Sequence, residues 1–302
     1  MTESGVAAFR AGLLPAENAR SGRTSPAASI SAWRGGKVRH RHKSMLRHID
    51  RRVSTVGLHN ETRTSDSPWI SSVWTSRSED VNEMTAVACE TWGLVFWEQD
   101  GVRSAAVVGP ETRSSTAPVP ENAQFTGIQL AVGSSLRMTP TSTLVDSGID
   151  LPDTTSRRFW LDGSRWEIPH PDDAETFIGH LVRNGTLTRD PLVSAYLAGN
   201  PSFATNRTLE RRFRAATGLT RGGVEQIQRA QRAGELLVAG RPVADVVASL
   251  GYYDEPHLAR ALRRFVGRTA GQLRGGIGGA IALGGSVDDV VDDLDHTVRI
   301  GS

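Results

Sequence analysis

The sequence predicts an α+β multidomain protein in which a β-rich N-terminal domain precedes an all-α domain. Its 302 residues are enough for two ordinary domains with real cores. From about residue 66 to residue 170, short apolar runs alternate with polar residues and are separated by Gly and Pro, which indicates strands and turns. Residues 205–274 instead place apolar residues at the spacing of helices.

The helical half is built on one short pattern that occurs twice. Segments 209–220 and 258–269 share Leu-x-Arg-x-(Phe/Leu)-Arg-x-x-x-Gly-x-Thr, which is an internal repeat. Gly218 and Gly267 stand where a left-handed C-cap would end each helix. On a helix, the apolar positions of each copy share one face. They are Leu209, Phe213 and Ala216 in the first copy and Leu258, Leu262 and Phe265 in the second.

Arginines occupy the opposite face of both copies. Arg211 and Arg260 each lie two positions past the first Leu, about 200° from the buried face. Arginine is also the general solubilising residue of this chain, because Lys37 and Lys43 are its only lysines. The duplication of the row nevertheless favours a functional surface on two helices.

The residues between the two copies predict a long helix followed by a helix, a short turn and a second helix. Pro242 suits the first turn of the middle helix, and Gly251 ends it. Asp254 is a good N-cap for the last helix, and Pro256 is tolerated in its first turn. The apolar positions are Val224, Ile227, Ala230, Ala233, Leu236 and Leu237 in the long helix, and Val243, Val246, Val247 and Leu250 in the middle one.

These segments resemble the AraC/XylS-type DNA-binding domain of bacterial transcription regulators. The resemblance covers about residues 190–274 and rests on 217–220, 229–237, 251–258 and 265–270 together. It implies two helix-turn-helix units joined by a long helix, with recognition helices at 206–216 and 256–266 in successive major grooves. The residues expected to contact DNA are Asn206, Arg207, Thr208, Arg211, Arg214, Glu255, His257, Arg260, Arg263 and Arg264.

The first unit departs from the family pattern because it is shortened. Residues 191–198 are predicted to be its only support helix, and 199–204 its turn. A regulator that binds DNA is therefore the first hypothesis. The alternative is a protein-interaction or co-sensor protein whose shortened first unit no longer binds DNA productively.

The β-rich half is expected to form an antiparallel sandwich or small barrel. Residues 159–166 indicate a hairpin, and 172–182 a helix with an acidic first turn. This half resembles the cupin-like sensor domain that precedes the DNA-binding domain in the same family. The resemblance implies a small organic effector or a contact role, with the helix as linker or dimer contact. The tryptophans of this half are expected mainly in the core rather than around a ligand, and are Trp69, Trp74, Trp92, Trp97, Trp160 and Trp166.

No arrangement of residues for catalysis is recognisable. His170 and His180 have no partner at metal-ligand spacing, and Gly-rich phosphate loops and nucleophile motifs are missing. Cys89, the single cysteine, lies in an apolar run and is predicted to be a buried, inert thiol. We therefore expect no enzyme, no metal and no cofactor. A third possibility, an enzyme fused to a DNA-binding module, needs a polar cluster that the sequence does not display.

Charge and composition give the predicted boundaries. Residues 1–44 read as a disordered extension, with Met45 as an alternative start, and 276–302 as a flexible acidic tail. Between them we expect a β-rich domain with its linker helix at 60–183 and the DNA-binding domain at 186–275. Segment 190–274 carries thirteen Arg against seven Asp and Glu, about +6 in all, as phosphate binding requires.

No apolar run is long enough to span a membrane, so a cytoplasmic protein is expected. Its partners would be double-stranded DNA, RNA polymerase, an effector and a second copy of the chain.

Overall fold

The computed structural model describes residues 51–55, 58–79, 81, 83–200, 204–279 and 281. The predicted disordered extension, the alternative start at Met45 and most of the acidic tail lie outside these residues. A β-rich region, here residues 51–189, is followed by a helical region, here residues 191–275. The predicted order of the two structural classes is confirmed.

One antiparallel sheet of seven strands forms the centre of the β-rich region. Its strand order is β1-β2-β3-β8-β5-β6-β10, where β1 is Arg51–Thr55, β2 Leu58–Arg63, β3 Ile70–Ser78, β5 Gly93–Gln99, β6 Val102–Val108, β8 Gln124–Leu130 and β10 Gly148–Asp150. Three two-stranded pairs surround it. They are β4 (Glu83–Ala86) with β7 (Ser115–Pro118), β9 (Ser134–Leu136) with β13 (Leu187–Arg189), and the predicted hairpin, β11 (Arg158–Leu161) with β12 (Ser164–Glu167).

The two faces of this sheet bury different clusters, because successive side chains of a strand point to opposite sides. One cluster includes Trp74, Val95 and Phe125 together with Met84 of β4 and Ala117 of β7. The other is larger and combines the second face with the β11–β12 hairpin and helix α1 (Ala174–Arg183). The pair β4–β7 therefore covers one face, and the hairpin with α1 covers the other.

Helix α1 belongs to the β-rich region. Its apolar side chains Phe177, Ile178 and Leu181 are buried in the larger sheet cluster, and its expected role as a linker or dimer contact stays a prediction. The ring of Phe159 lies 5.2 Å from that of Phe96 and 6.1 Å from that of Phe177. The amphipathic stripe of α1 packs against the nearest sheet.

The tryptophans lie mainly in the core, as expected. Trp74, Trp92 and Trp166 are buried, and Trp69 and Trp97 are half-buried. The indole N–H of Trp92 donates to the carbonyl oxygen of Ser134 at 2.6 Å. Trp160 is more exposed, at 37 %.

The helical region contains α2 (Pro191–Leu197), α3 (Asn206–Thr217), α4 (Arg221–Val238), α5 (Val243–Ser249), α6 (Glu255–Ala261) and α7 (Ala270–Gly275). The predicted long helix is α4, and the repeated helices are α3 and α6. Gly218 and Gly267 adopt left-handed φ angles of 77° and 76°, which confirms both predicted C-caps. The second repeat differs from prediction in one respect, because Leu262–Val266 forms a π-helical turn after α6.

The repeated apolar stripes are buried together against α4. Phe213, Leu258 and Leu262 join Ile227, Leu236 and Leu237 in one cluster. That cluster also contains Val87 and Ala88, which directly follow β4. The stripes therefore bury one another as predicted, and the β-rich region contributes to the same core.

Truncating Leu262 should strongly destabilise the protein. Its side chain is fully buried, so Leu262→Ala should lower the free energy of unfolding by about 2–5 kcal/mol through lost apolar contact and a residual cavity. Leu197→Ala is the matched control, because Leu197 of α2 is 44 % exposed. Urea unfolding of the full chain measures both, and equal losses in the two variants would contradict the burial of Leu262.

Glu175 on α1 should give the protein a pH-dependent contribution to stability. Burial opposes its ionisation, but hydrogen bonds from Arg63 and Ser65 outweigh burial and hold the pKa of the carboxyl below its usual value. Arg63 donates from both terminal nitrogens to the two carboxylate oxygens, at 2.6 and 2.9 Å. Because the folded pKa is the lower one, this stabilisation is present above the unfolded pKa and is lost as pH falls through the folded pKa.

We therefore expect Glu175→Gln to lower the free energy of unfolding near neutral pH and to lose that effect in acid. Glu167→Gln is the control, because its ion pair with Arg158 lies at 3.3 Å on an exposed hairpin and should contribute little. Denaturant unfolding at a series of pH values measures the difference. A penalty for Glu175→Gln that does not change with pH would rule out this role of the ion pair.

Candidate nucleic-acid interface

Helix α3 presents the first set of predicted contact residues. Thr205 caps the helix by accepting from the backbone N–H of Thr208 at 3.2 Å. Leu209 and Phe213 are buried, so the opposite side of the helix faces outward. Thr208 is half-buried, and the exposed members of the set are Asn206, Arg207, Arg211 and Arg214.

Helix α6 and its π-helical turn present the second set. Asp254 caps α6 by accepting from the backbone N–H of His257 at 2.7 Å, as predicted. His257 is half-buried, and its ring centroid lies 5.2 Å from that of Tyr252. The exposed members of the set are Glu255, Arg260, Arg263 and Arg264. The guanidinium of Arg264 lies 4.9 Å from the ring centroid of Phe265.

The arginines of the helical region divide into two groups. Those of the first group have partners: Arg212 pairs with Asp190 at 2.6 Å, and Arg221 pairs with Glu210 at 2.9 Å. Arg229 lies 4.8 Å from the ring centroid of Tyr252. By contrast, five predicted contact residues make no side-chain ion pair or hydrogen bond with any other residue that the structure describes, and all five are exposed. They are Arg207, Arg211, Arg214, Arg260 and Arg263.

The pairing of Arg212 explains why an arginine next to Arg211 is not equivalent to it. Asp190 caps α2 through the backbone N–H groups of Leu192 and Val193, and the same carboxylate binds Arg212 of α3. The ring of Tyr196 on α2 also meets the ring of Phe213 edge-on, with centroids 6.0 Å apart. The predicted support helix is therefore present and packed on α3, although the first unit is short.

Two features of this surface were not predicted. Arg263 and Arg264 lie in the π-helical turn, where the Gly267 N–H bonds the Leu262 carbonyl oxygen at 2.8 Å, so their directions differ from those on a regular helix. Tyr253, directly before the Asp254 cap, is 91 % exposed. An aromatic residue in a short turn between two predicted helices was the sequence signal for it.

The β-rich region has a separate cleft of about 400 Å³. Its lining includes the apolar residues Val107, Ile149, Leu151 and Trp160 and the acidic residues Asp153 and Asp162. Cys89 is buried, as predicted. Within the described residues, no group of three or more His, Cys, Asp or Glu side chains is placed to hold a metal ion.

None of the described helices is long and apolar enough to cross a membrane.

Comparison with known families bears directly on the helical region. Residues 203–276 match a family model described as a helix-turn-helix domain. No curated protein and no solved structure matches the chain. The family match supports an AraC-like helix-turn-helix domain at residues 203–276 and, in general terms, a DNA-binding transcription regulator of that type.

Proposed function

We propose that this protein reads a specific duplex DNA sequence with two equivalent helices, α3 and α6. One observation carries the proposal: repeated helices within a helix-turn-helix domain both expose arginines that have no partner among the described residues. A guanidinium left free in the unbound protein binds phosphate or a base edge without first breaking an ion pair. The function is binding rather than catalysis, and each half of the repeat supplies one reading surface.

The position of each side chain suggests its role. Arg211 and Arg260 occupy equivalent outward positions of the two repeats and are assigned to base edges, where arginine makes its bidentate contact with guanine. Arg207, Arg214, Arg263 and Arg264 are assigned to the phosphate backbone, which fixes the register of the protein on the duplex. Asn206, Thr208, Glu255 and His257 stand near the N-terminal ends of the helices, where side chains reach bases in helix-turn-helix proteins.

Arg212 and Tyr253 refine this assignment. Arg212 is excluded from direct reading because Asp190 holds its guanidinium at 2.6 Å. Tyr253 joins the contact surface because its phenol is exposed next to the start of α6, and tyrosine hydroxyls commonly donate to phosphate. The second reading surface then includes an aromatic residue as well as arginines.

The β-rich region is proposed to sense a small organic effector without a metal. The cleft beside Trp160 supports this role, because apolar walls with a few polar groups are typical of ligand sites. Asp153 and Asp162 in its lining would favour a ligand that carries positive charge. A cupin-like origin of this region, contact with RNA polymerase and a homodimer remain predictions from the family resemblance.

Salt dependence separates DNA reading from the protein-interaction alternative. The full chain should bind a duplex selected from random DNA. The logarithm of its affinity should fall linearly with the logarithm of the salt concentration, with a slope of about −0.9 for each phosphate neutralised. Fluorescence anisotropy at several salt concentrations measures this slope. A slope near zero, or no selected duplex, would favour the protein-interaction or co-sensor alternative.

Replacing the two base-reading arginines should change sequence preference. Arg260→Ala is expected to cost about 1–3 kcal/mol on the selected site and to relax preference mainly at one base position. Arg211→Ala should do the same in the other half-site. Arg212→Ala is the matched control, because it removes an arginine from the same helix that is already paired to Asp190.

The measurement is selection of binding sites from random DNA by the wild type and the three variants. Arg212→Ala should select the wild-type sequence, with at most a reduced affinity. If Arg211→Ala and Arg260→Ala also select the wild-type sequence, these arginines do not read bases. A wild-type site with only one half would show that α3 does not read DNA.

A further inference from the structure

The C-terminal ends of both repeated helices contact the β-rich region. At Gly218, after α3, an added Cβ would lie 2.5 Å from Cγ2 of Val145 and 3.1 Å from the carbonyl oxygen of Thr141. At Gly267, after the π-helical turn, it would lie 3.0 Å from Oγ of Ser114 and 3.0 Å from Cγ2 of Thr85. These two glycines hold the same position of the repeat. Equivalent ends of the two repeats therefore meet one other part of the chain.

The second repeat is also hydrogen-bonded to the β-rich region. The backbone N–H of Ser114 donates to the carbonyl oxygen of Arg264 at 2.8 Å, and that of Ala88 donates to Phe265 at 2.7 Å. The hydroxyl of Ser114 lies 3.2 Å from the same Arg264 carbonyl oxygen. The last carbonyl groups of a helix lack partners within the helix. The β-rich region supplies those partners here and so caps the helix that carries Arg260, Arg263 and Arg264.

A second bond pins the same segment to α4. The side-chain amide of Gln231 donates to the carbonyl oxygen of Ala88 at 2.6 Å. The backbone N–H of Ala88 donates to the carbonyl oxygen of Phe265. Val87 and Ala88 are buried in the cluster that contains both apolar stripes. The contact is thus part of a packed core.

The two contact points are tied together inside the β-rich region. Asp146 follows Val145, and its carboxylate accepts from the backbone N–H of Thr112 at 2.8 Å and from the Thr112 hydroxyl at 2.6 Å. The N–H of Asp146 donates to the carbonyl oxygen of Pro110 at 2.7 Å. The segment that meets Gly218 is therefore bonded to the segment that leads to Ser114. Both repeats rest on a single braced surface, formed by residues 109–114 and 141–147.

We propose that this braced surface sets the separation and relative angle of the two reading helices, with Asp146 and Ser114 as positioning residues. The inference rests on the proposed function and deepens it. Two helices that enter successive major grooves must be held about one helical repeat of DNA, or about 34 Å, apart. The braced surface joins them by a route independent of the chain through α4 and α5. It therefore determines which spacing of half-sites the protein accepts.

Two variants loosen the braced surface, and each has a matched control. Asp146→Gly removes both carboxylate bonds while keeping the left-handed φ of 53° accessible, and Asp100→Gly makes the same change at φ 52° on the exposed β5–β6 turn. Gly267→Ala pushes a Cβ against Ser114 and Thr85. Gly251→Ala places one in open space at φ 65°, with the same backbone strain.

The experiment measures the affinity of the full chain for the selected site and for versions with one or two base pairs added between the half-sites. Single half-site duplexes show that each variant is folded and still reads DNA. Wild type and both controls should lose up to roughly 10²-fold in affinity on lengthening, since the second helix can no longer engage together with the first. For Asp146→Gly and Gly267→Ala, the loss of affinity on lengthening should be about tenfold smaller than for wild type, because their helices can adjust to the new spacing.

The possible results distinguish the two proposals. In one outcome, wild type selects paired half-sites while all four variants lose as much affinity as wild type when base pairs are added. In that case the braced surface does not set the separation of the two helices, but the proposed DNA reading is unaffected. If wild type selects no DNA, the proposed function fails and this inference fails with it. Should Asp146→Gly not bind even a single half-site, Thr112→Val takes its place, since it removes only the hydroxyl donor to Asp146.

Discussion

Burial of one apolar stripe on each of two repeated helices is the constraint on which the surface chemistry of this protein depends. Phe213 in the first copy and Leu262 in the second are buried in one cluster with α4. With those side chains fixed inward, helical geometry turns Arg211 and Arg260 outward. The same burial leaves their guanidinium groups exposed. The proposed reading surfaces are thus a consequence of core packing rather than a separate structural feature.

The two proposed reading helices are held by contacts that differ in kind. The first relies on a polar contact with α2, since Asp190 caps that helix and also binds Arg212. The second relies on the β-rich region, where Ser114 and Ala88 bond the carbonyl groups of Arg264 and Phe265. Through Asp146 and Thr112, the β-rich region reaches both helices. The β-rich region is therefore in direct contact with both proposed reading helices.

Local features of the helical region were predictable from sequence because their signals lie within a few residues. The caps at Asp254, Gly218 and Gly267 and the burial of Leu262 follow from spacing and backbone preference. The π-helical turn and the pairing of Arg212 were not predictable, because their causes are distant in sequence. The carbonyl groups of that turn are bonded from Ser114 and Ala88. For helix α1, periodicity predicted a buried stripe but not the surface that buries it.

The most direct test of two-helix reading is hydroxyl-radical footprinting of the full chain on its selected duplex. Reading by α3 and α6 in successive major grooves predicts two protected stretches on one face of the DNA, with centres about ten base pairs apart. Protection of a single stretch would contradict that account. Two stretches on opposite faces of the duplex would contradict it equally.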